Sequence, residues 1–371
     1  MSGYAYRFNL PTLQLFNLTT FQQINNMTYY TKPDQLNSFL EKVVPKAPEP
    51  TGLLTTYSAA QWLTNASKKP IPKMLFGKFW FEGEICILFA DSNLGKSILA
   101  VQIGIAINTG KAMRPFEVEA AEQPVLYLDF ELSDKQFEAR YSDNYVNHYP
   151  FKPNFYRSEL NPDCDIPDGF RDFDEYLIAA VEREIVQKNA KIVIVDNLTY
   201  LRNETEQAKD ALPLMKQLKA LKTKYNLSML VLAHTPKRDL AQQITLNDLQ
   251  GSKMLMNFCD SAFTIGQSSN EKELRYLKQI KQRNTSQVYG YNNVCLCQII
   301  KPSNYLRYEF ISYGNELDHL RKNGERIDPE EVDQVVKLRL EGKSLRQIGK
   351  DLNISHQKVD RLLKAADKAK D

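Results

Sequence analysis

A segment near residue 90 carries the residue types that bind phosphate. It reads Ala90-Asp91-Ser92-Asn93-Leu94-Gly95-Lys96-Ser97, which follows the P-loop pattern G-x-x-x-x-G-K-[ST] with alanine at the first glycine position. In such a loop the lysine reaches the β- and γ-phosphates of a nucleotide, and the serine hydroxyl binds Mg²⁺. The spacing therefore predicts an ATP and Mg²⁺ site formed by this segment and Ile98. The alternative is a chance match, because Ala90 departs from the pattern.

The residues on both sides of this segment fit a phosphate-binding loop. The run Glu84–Phe89 is apolar enough for one buried strand, and residues 97–106 have helical character. A strand, a tight loop and a helix together point backbone N–H groups and a helix N-terminus at an anion. Alanine can replace the first glycine if that position does not need a positive φ angle.

Hydrolysis needs groups beyond the loop, and two carboxylates are candidates. Asp196 ends an almost continuously apolar run, where it would order the Mg²⁺ shell; a polar residue that starts a turn is the alternative. Glu131 follows the run Val125–Phe130 and is the candidate catalytic base. Glu131 would face the γ-phosphate if the strand before Glu131 and the strand before the P-loop lie on either side of that loop. Its alternative role is to complement the dipole of the next helix.

Composition limits the class of protein. The chain has 371 residues, a hydrophobic fraction of 43%, a charged fraction of 25% and a net charge of +3. A nucleic-acid site must therefore be a local patch. Five scattered cysteines suit reduced thiols better than a disulfide framework. No apolar run reaches membrane-spanning length and no basic segment begins the chain, so we expect a cytoplasmic protein without a membrane partner.

The order of the predicted elements indicates an α/β fold. Strands and helices alternate over residues 51–313, which predicts a mostly parallel central sheet with helices on both sides. The last strands, joined by short polar turns, should extend the sheet antiparallel. Residues 150–170 contain several Pro and Asp residues and are predicted to be a connection. Residues 1–50 are predicted to be a poorly ordered extension and linker, and Met27 is an alternative start.

The end of the chain predicts a second, all-helical domain. A charged linker is expected over residues 314–327, followed by three short helices over 328–371. Their apolar spacing and the small Gly349 favour a helix-turn-helix that binds DNA. The candidate contacts to bases or phosphates are on the third helix: His356, Gln357, Lys358 and Arg361. A trihelical module for protein interaction is the alternative.

Four segments of the chain resemble the RecA-like superfamily, especially DnaB-type and RepA-type helicases of plasmids and mobile elements. The P-loop comes first, and Val125–Ser133 is similar to the strand that ends in the catalytic glutamate. Residues 233–238 resemble the RepA-type segment that carries a polar sensor. Residues 280–284 are similar to the DnaB-type motif whose lysine and arginine reach the neighbouring subunit's γ-phosphate. The sequence departs from the family at Ala90, and residues 1–50 do not resemble the primase-binding domain that DnaB-type proteins usually carry.

The resemblance implies roles for three more residues. His234 would sense the γ-phosphate, although a lone histidine at a strand end is as often structural. Lys281 and Arg283 would share a strand face and complete a neighbour's site, or they protect a charged edge strand. An arginine supplied in trans implies a homo-oligomer, with a hexamer as one candidate. The polar loop Pro236–Leu249 is expected either to line a channel for single-stranded DNA or to be an ordinary surface loop.

These observations predict an Mg²⁺-dependent, RecA-like ATPase that acts on DNA. Single-stranded DNA would pass through the ring, and the C-terminal domain would bind duplex DNA. RepA-like helicase or mobilisation activity is the leading hypothesis, and it rests on resemblance. The rivals are a DNA-binding regulator whose ATPase domain switches oligomeric state without unwinding, and an accessory ATPase of recombination or repair.

Overall fold

The computed structural model describes residues 54–197, 211–236, 238–249, 252–321 and 329–368. The chain divides into a larger unit, Met1–Arg238 with Ile244–His319, and a smaller unit, Asp239–Gln243 with Leu320–Asp371. The predicted extension over residues 1–50, with Met27, lies outside the described residues, and so do Lys237, Gln250 and Gly251.

The larger unit is built on one sheet. The strands of this sheet and of two short hairpins are β1 Met74–Phe76, β2 Trp80–Phe81, β3 Ile85–Ala90, β4 Val125–Asp129, β5 Ser142–Asp143, β6 Asn147–His148, β7 Phe155–Ser158, β8 Ile192–Asp196, β9 Ser228–His234, β10 Ser261–Gln267, β11 Leu274–Lys281, β12 Val294–Ile300 and β13 Arg307–Gly314. The spatial order in the sheet is β13-β12-β11-β10-β3-β9-β8-β4-β7, and β1 with β2 and β5 with β6 form the hairpins.

Helices of the larger unit are α1 Ala59–Ser67, α2 Lys96–Thr109, α3 Asp134–Arg140, α4 Phe173–Gln187, α5 Ala211–Tyr225 and α6 Ser252–Phe258. Two 3₁₀ helices, Leu246–Asp248 and Glu316–His319, also belong to it. Ser133 caps α3 through a reciprocal pair of hydrogen bonds with Gln136, as its sequence predicts. Within the residues that the structure describes, no helix is long and apolar enough to span a membrane.

The sheet confirms the predicted RecA-like α/β class. Strands β10, β3, β9, β8, β4 and β7 pair in parallel, and β11, β12 and β13 extend the sheet antiparallel. Alternate side chains of β3 enter two separate cores. Cys86 and Leu88 pack in the core that includes α2, while Ile85 and Ile87 pack in the core that includes α4 and α5. Burial on both faces explains why this strand is apolar throughout.

Three details differ from the sequence predictions. Strands β9 and β8 lie between β3 and β4, so the strand that leads to Glu131 does not bracket the P-loop together with β3. Residues 150–170 include the parallel edge strand β7, which is half-buried and too short to show an apolar run. The segment 314–327, predicted to be a linker, includes the 3₁₀ helix Glu316–His319, whose Glu316 is fully buried. Residues 322–327 lie outside the described part of the chain.

The smaller unit contains three helices around a small core. They are α7 Pro329–Leu340, α8 Leu345–Asp351 and α9 His356–Lys368. Val335, Ile348, Val359 and Leu362 are buried together. A Cβ atom on Gly349 would lie 2.7 Å from the carbonyl oxygen of Ile354, so only glycine permits the close turn between α8 and α9. This compact arrangement agrees with the helix positions that the sequence predicts.

Candidate functional site at the carboxyl edge of the sheet

The P-loop connects the end of β3 to the start of α2. Ala90 is the last residue of β3 and is fully buried in strand conformation, so the position does not need a glycine. Gly95 has a φ of 88°, where glycine is favoured. A Cβ atom there would also lie 2.8 Å from Cδ1 of Ile299. The loop therefore keeps glycine where geometry demands it and tolerates alanine at the first position.

The amine of Lys96 lies inside the curve of the loop. Its Nζ donates to the carbonyl oxygens of Ala90 at 3.0 Å and Asp91 at 3.2 Å, and it lies 3.1 Å from Nδ1 of His234. Burial lowers the pKa of Lys96, and the carboxylates of Asp196 and Glu131 oppose this effect. A lysine ammonium beside the backbone N–H groups of such a loop can bind a phosphate.

A buried carboxylate stands beside the serine of the P-loop. Asp196 ends β8 and is fully buried; Tyr127 donates a hydrogen bond to its Oδ2 at 2.6 Å. Its second oxygen, Oδ1, is buried and has no hydrogen-bond partner among the described residues. The Ser97 hydroxyl is close enough to lower the pKa of this carboxyl group. Hydroxyl and carboxylate oxygens are the ligands that Mg²⁺ prefers, so these two residues fit the metal and would hold it.

Glu131 reaches the P-loop lysine through a histidine. Nδ1 of His234 faces the Lys96 ammonium, and Nε2 lies 3.0 Å from the side-chain nitrogen of Asn197. Nε2 lies 3.2 Å from Oε1 of Glu131, and the side-chain amide of Asn197 also donates to this oxygen. The hydrogen bond from His234 lowers the pKa of Glu131 despite partial burial. Glu131 is therefore an ionised acceptor at neutral pH, suited to orient and polarise a water molecule.

A buried ion pair shapes the turn that carries Glu131. Asp129 ends β4, and its Oδ1 accepts hydrogen bonds from the backbone N–H groups of Glu131 and Leu132 at 3.2 and 3.0 Å. Its Oδ2 accepts from Nε of Arg157, on β7, at 2.9 Å. Arg157 is not among the predicted site residues, because the half-buried strand β7 that carries it has no apolar run to predict it.

A second set of contacts anchors the P-loop at Asp91. Thr235 donates a hydrogen bond to Oδ1 of Asp91, and Nε of the buried Arg238 lies 3.6 Å from Oδ2. Tyr308 donates to the carbonyl oxygen of Leu94 in the same loop. The sequence predicts a phosphate sensor at His234 and places Arg238 in a loop for single-stranded DNA, whereas the structure gives Thr235 and Arg238 contacts to the P-loop.

Lys281 and Arg283 lie far from the P-loop of their own chain. Strand β11 ends at Lys281, so Arg283 lies beyond it and the two do not share a strand face. Lys281 donates to the Cys259 carbonyl oxygen at 2.8 Å, and Arg283 Nη1 lies 3.1 Å from Oδ1 of Asp260. Asp260 also accepts from the N–H of Ile85 at 3.0 Å, so this cluster is at the start of β3. The length of β3, roughly 17 Å, separates it from the P-loop.

The candidate DNA contacts are on the smaller unit. His356 begins α9 and is exposed, while Lys358 Nζ forms an ion pair with Glu331 of α7 at 2.6 Å. The side chains of Gln357 and Arg361 lie outside the described part of the chain. Lys358 is therefore already paired within the smaller unit. The DNA-binding role of all four residues stays a prediction.

The burial of Asp196 predicts a pH dependence of Mg²⁺ binding. Burial raises its pKa from 3.8 to about 6, so the folded chain binds this proton more tightly than the unfolded chain. In metal-free protein the contribution of Asp196 to the free energy of unfolding therefore falls as pH rises from about 4 to 6. The metal site has the opposite dependence, because Mg²⁺ requires the ionised carboxylate.

We therefore expect Mg²⁺-dependent nucleotide affinity to fall about tenfold or more between pH 7.5 and pH 5, measured by titration calorimetry. In Asp196→Asn the affinity should be low at both values, because no carboxylate is present to titrate. Equal affinity of the unsubstituted protein at both values would contradict the assignment of Asp196 to the metal.

Comparison with known proteins matches the part of the chain that carries the candidate site residues. A model of the AAA domain family matches residues 48–239, which include Lys96, Glu131, Asp196 and His234. Among solved structures, a KaiC-like protein from the hyperthermophilic archaeon Pyrococcus horikoshii OT3 is similar, with 14% identity and a TM-score of 0.41. That similarity covers 62% of this chain and 91% of the other. No curated protein matches this sequence.

Proposed function

The chain belongs to the AAA domain family of P-loop ATPases, and on this premise we propose that it is an Mg²⁺-dependent ATPase that assembles on DNA and unwinds it. The observation that carries the ATPase part is the convergence of Lys96, His234, Glu131 and Asp196 from four different strand ends or loops. These residues are distant in sequence, and a purely structural role does not require a buried lysine, a buried carboxylate and a partly exposed carboxylate together.

Each residue has a defined task in this proposal. Lys96 and the N–H groups of the P-loop bind the phosphates, and Ser97 and Asp196 hold the metal. When bound, Mg²⁺ neutralises charge on the transferred phosphoryl group. Glu131 orients the attacking water, while His234 and Asn197 hold its carboxylate in place. The contact between His234 and Lys96 joins the phosphate-binding and water-orienting groups, which suits a residue that detects the γ-phosphate.

We propose that a second copy of the chain supplies an arginine to this site. Two arginines of the same chain act near this site: Nε of Arg238 lies 3.6 Å from Oδ2 of Asp91, and the charge of Arg140 contributes to the lowered pKa of Glu131, after the hydrogen bond from His234. Arg283 is half-exposed at the opposite edge of the sheet, beside Lys281 and Asp260. A residue there can reach a P-loop only in a neighbouring subunit, and an arginine supplied in this way stabilises the charge that develops during phosphoryl transfer. A ring or filament follows, with a hexamer as one form.

Mixing two inactive variants tests this shared site. Arg283→Ala leaves the P-loop intact, whereas Lys96→Ala leaves Arg283 intact, so neither variant should hydrolyse ATP but their mixture should recover part of the activity. Arg171→Ala is the matched control, because Arg171 is an exposed arginine that pairs with Glu175 on α4. Wild-type turnover by Arg283→Ala alone, or a mixture without activity, would argue against a site built from two subunits.

The smaller unit supports the DNA part of the proposal. Helices α8 and α9 meet closely at Gly349, and Asn353 in the turn between them has a φ of 52°. We propose that these helices form a helix-turn-helix whose α9 carries His356, Gln357, Lys358 and Arg361 to duplex DNA. The ion pair between Lys358 and Glu331 would then open when Lys358 contacts a phosphate.

A strand-displacement assay with a forked duplex separates this function from its rivals. Unwinding that requires ATP and Mg²⁺ is the expected result for the full chain. DNA-stimulated hydrolysis without unwinding, together with a sequence-specific footprint that disappears in the His356→Ala, Arg361→Ala double variant, would favour the regulator instead. Lys216→Ala on α5 is the control for loss of a surface cation, because Lys216 is exposed and far from α9 in sequence.

A further inference from the structure

A second cavity lies along α2, away from the phosphate loop. It has a volume of about 570 Å³ and is open to solvent between α2, the segment 111–116 and the hairpin of β12 and β13. Volumes of this size hold small organic ligands. The residues of the P-loop and its partners Glu131, Asp196 and His234 do not line it. The cavity therefore has no task in the ATPase reaction described above.

Two exposed cations line the cavity. Lys111 and Arg114 are exposed, and within the described part of the chain neither side chain has an ion pair or hydrogen bond. Arg307 lines the cavity too, and Glu309, 3.4 Å from it, is the carboxylate among the lining residues. Three cations against one carboxylate favour an anionic ligand.

Two tyrosine rings also line the cavity, and one of them lies near Arg307. The rings of Tyr149 and Tyr305 are stacked with centroids 4.5 Å apart, and the guanidinium carbon of Arg307 lies 6.0 Å from the centre of the Tyr305 ring. Both tyrosines line the cavity. Stacked tyrosines and an arginine form a platform on which a nucleobase can stack.

The cavity is separate from the P-loop but connected to it. Lys111 follows the last turn of α2, roughly 20 Å along the helix from Lys96, so the two cations cannot bind the same phosphate group. Gln102 lines the cavity, and its side chain bonds to both the N–H and the carbonyl oxygen of Tyr308, at 2.7 and 2.9 Å. Tyr308 in turn donates to the Leu94 carbonyl of the P-loop.

We infer that this cavity is a second binding site for a phosphorylated nucleoside, with the base on the Tyr149–Tyr305 platform and the phosphate between Arg114, Lys111 and Arg307. The ligand is either a free nucleotide or the end of a nucleic-acid strand, since both carry the same base and phosphate. Because Tyr308 contacts both the cavity wall and the P-loop, occupancy at this site should change the ATP affinity of the P-loop. The inference does not depend on ATP hydrolysis.

Equilibrium binding to the full chain tests the site. AMP or a 5′-phosphorylated ten-nucleotide strand is titrated by calorimetry into the unsubstituted chain and into Lys96→Ala, without an ATP analogue, because an analogue would also occupy a site for phosphorylated nucleosides. We expect one ligand per chain in the cavity of both proteins, and an affinity at least tenfold lower in Arg114→Glu. Lys216→Glu on α5 reverses the same type of charge at an exposed position outside the cavity and should leave this affinity unchanged.

The two probes identify the source of the ligand. Binding of AMP indicates a free nucleotide, and binding of the strand alone indicates a nucleic-acid end; both support the site if Arg114→Glu weakens them. Retained affinity for the ATP analogue shows that Arg114→Glu is folded. The inference is overturned if neither probe binds, if Arg114→Glu binds as tightly as the unsubstituted chain, or if Lys96→Ala removes the binding, which would place the probe on the P-loop.

Discussion

Replacing Lys96 by alanine is expected to lower ATP turnover by at least 100- to 1,000-fold, on the order of the loss when one charge-stabilising donor is removed from a reaction site. Lys96 is the buried cation of the P-loop and has carbonyl oxygens and His234 as its neighbours. Its removal leaves the phosphates without this cation in both the bound and the transition state. Nucleotide affinity should therefore fall together with the rate, which a colorimetric phosphate assay and a binding titration would measure.

A matched lysine provides the control for this substitution. Lys191 precedes β8, is partly buried, has a pKa lowered by burial, and donates to the Tyr225 carbonyl oxygen at 2.9 Å. It lies at the opposite edge of the sheet from the P-loop, so Lys191→Ala should reduce stability modestly and leave ATP affinity intact. If Lys96→Ala hydrolysed ATP at the unsubstituted rate, the assignment of Lys96 and its loop to the ATPase reaction would be wrong.

Replacing Glu131 by glutamine is expected to separate binding from hydrolysis. The loss of a group that accepts or directs a proton in the reaction costs about 100- to 10,000-fold in rate. Glutamine keeps one oxygen that can accept from Asn197 and His234, so the turn after β4 should keep its shape. ATP should bind at least as tightly as before, because removal of one carboxylate near the phosphates reduces charge repulsion.

Single-turnover hydrolysis and a nucleotide titration on the same preparation test this separation. Glu138→Gln is the control, because Glu138 is on α3 and forms exposed ion pairs with Lys135 and His148. Normal turnover in Glu131→Gln would remove the catalytic assignment. Loss of ATP binding in Glu131→Gln would instead show that the residue has a structural role in the loop.

Much of the larger unit was predictable because its signals are local. A buried strand with helices packed on both of its faces must be apolar throughout. This signal predicts β3, β8 and β9. A capping pair such as Ser133 and Gln136 is a four-residue sequence signal that marks the start of a helix. The edge strand β7 has neither signal, since its four residues are half-buried, and it was missed.

The site was predicted only in part for the same reason. Lys96, Ser97, Asp196 and Glu131 follow from a motif or from a strand end, but their mutual distances do not. The proximity of Glu131 to the P-loop depends on strand order, and β9 and β8 lie between the two strands concerned. His234, at the end of the inserted β9, contacts both Lys96 and Glu131 and so connects the two sides of the site.

The amino-acid sequence alone determined that a phosphate-binding loop follows a buried strand, because a loop of this kind is specified by a few adjacent residues. It also determined the alternation of strands and helices, which depends on periodicity within each segment. Only the tertiary structure decided which strand ends meet, that Arg157 and Asp129 position the turn of Glu131, and that Lys281 and Arg283 lie at the far edge of the sheet. Those contacts join residues 22 to 138 positions apart. The free energy that selects them comes from burying two cores at once, which no single segment encodes.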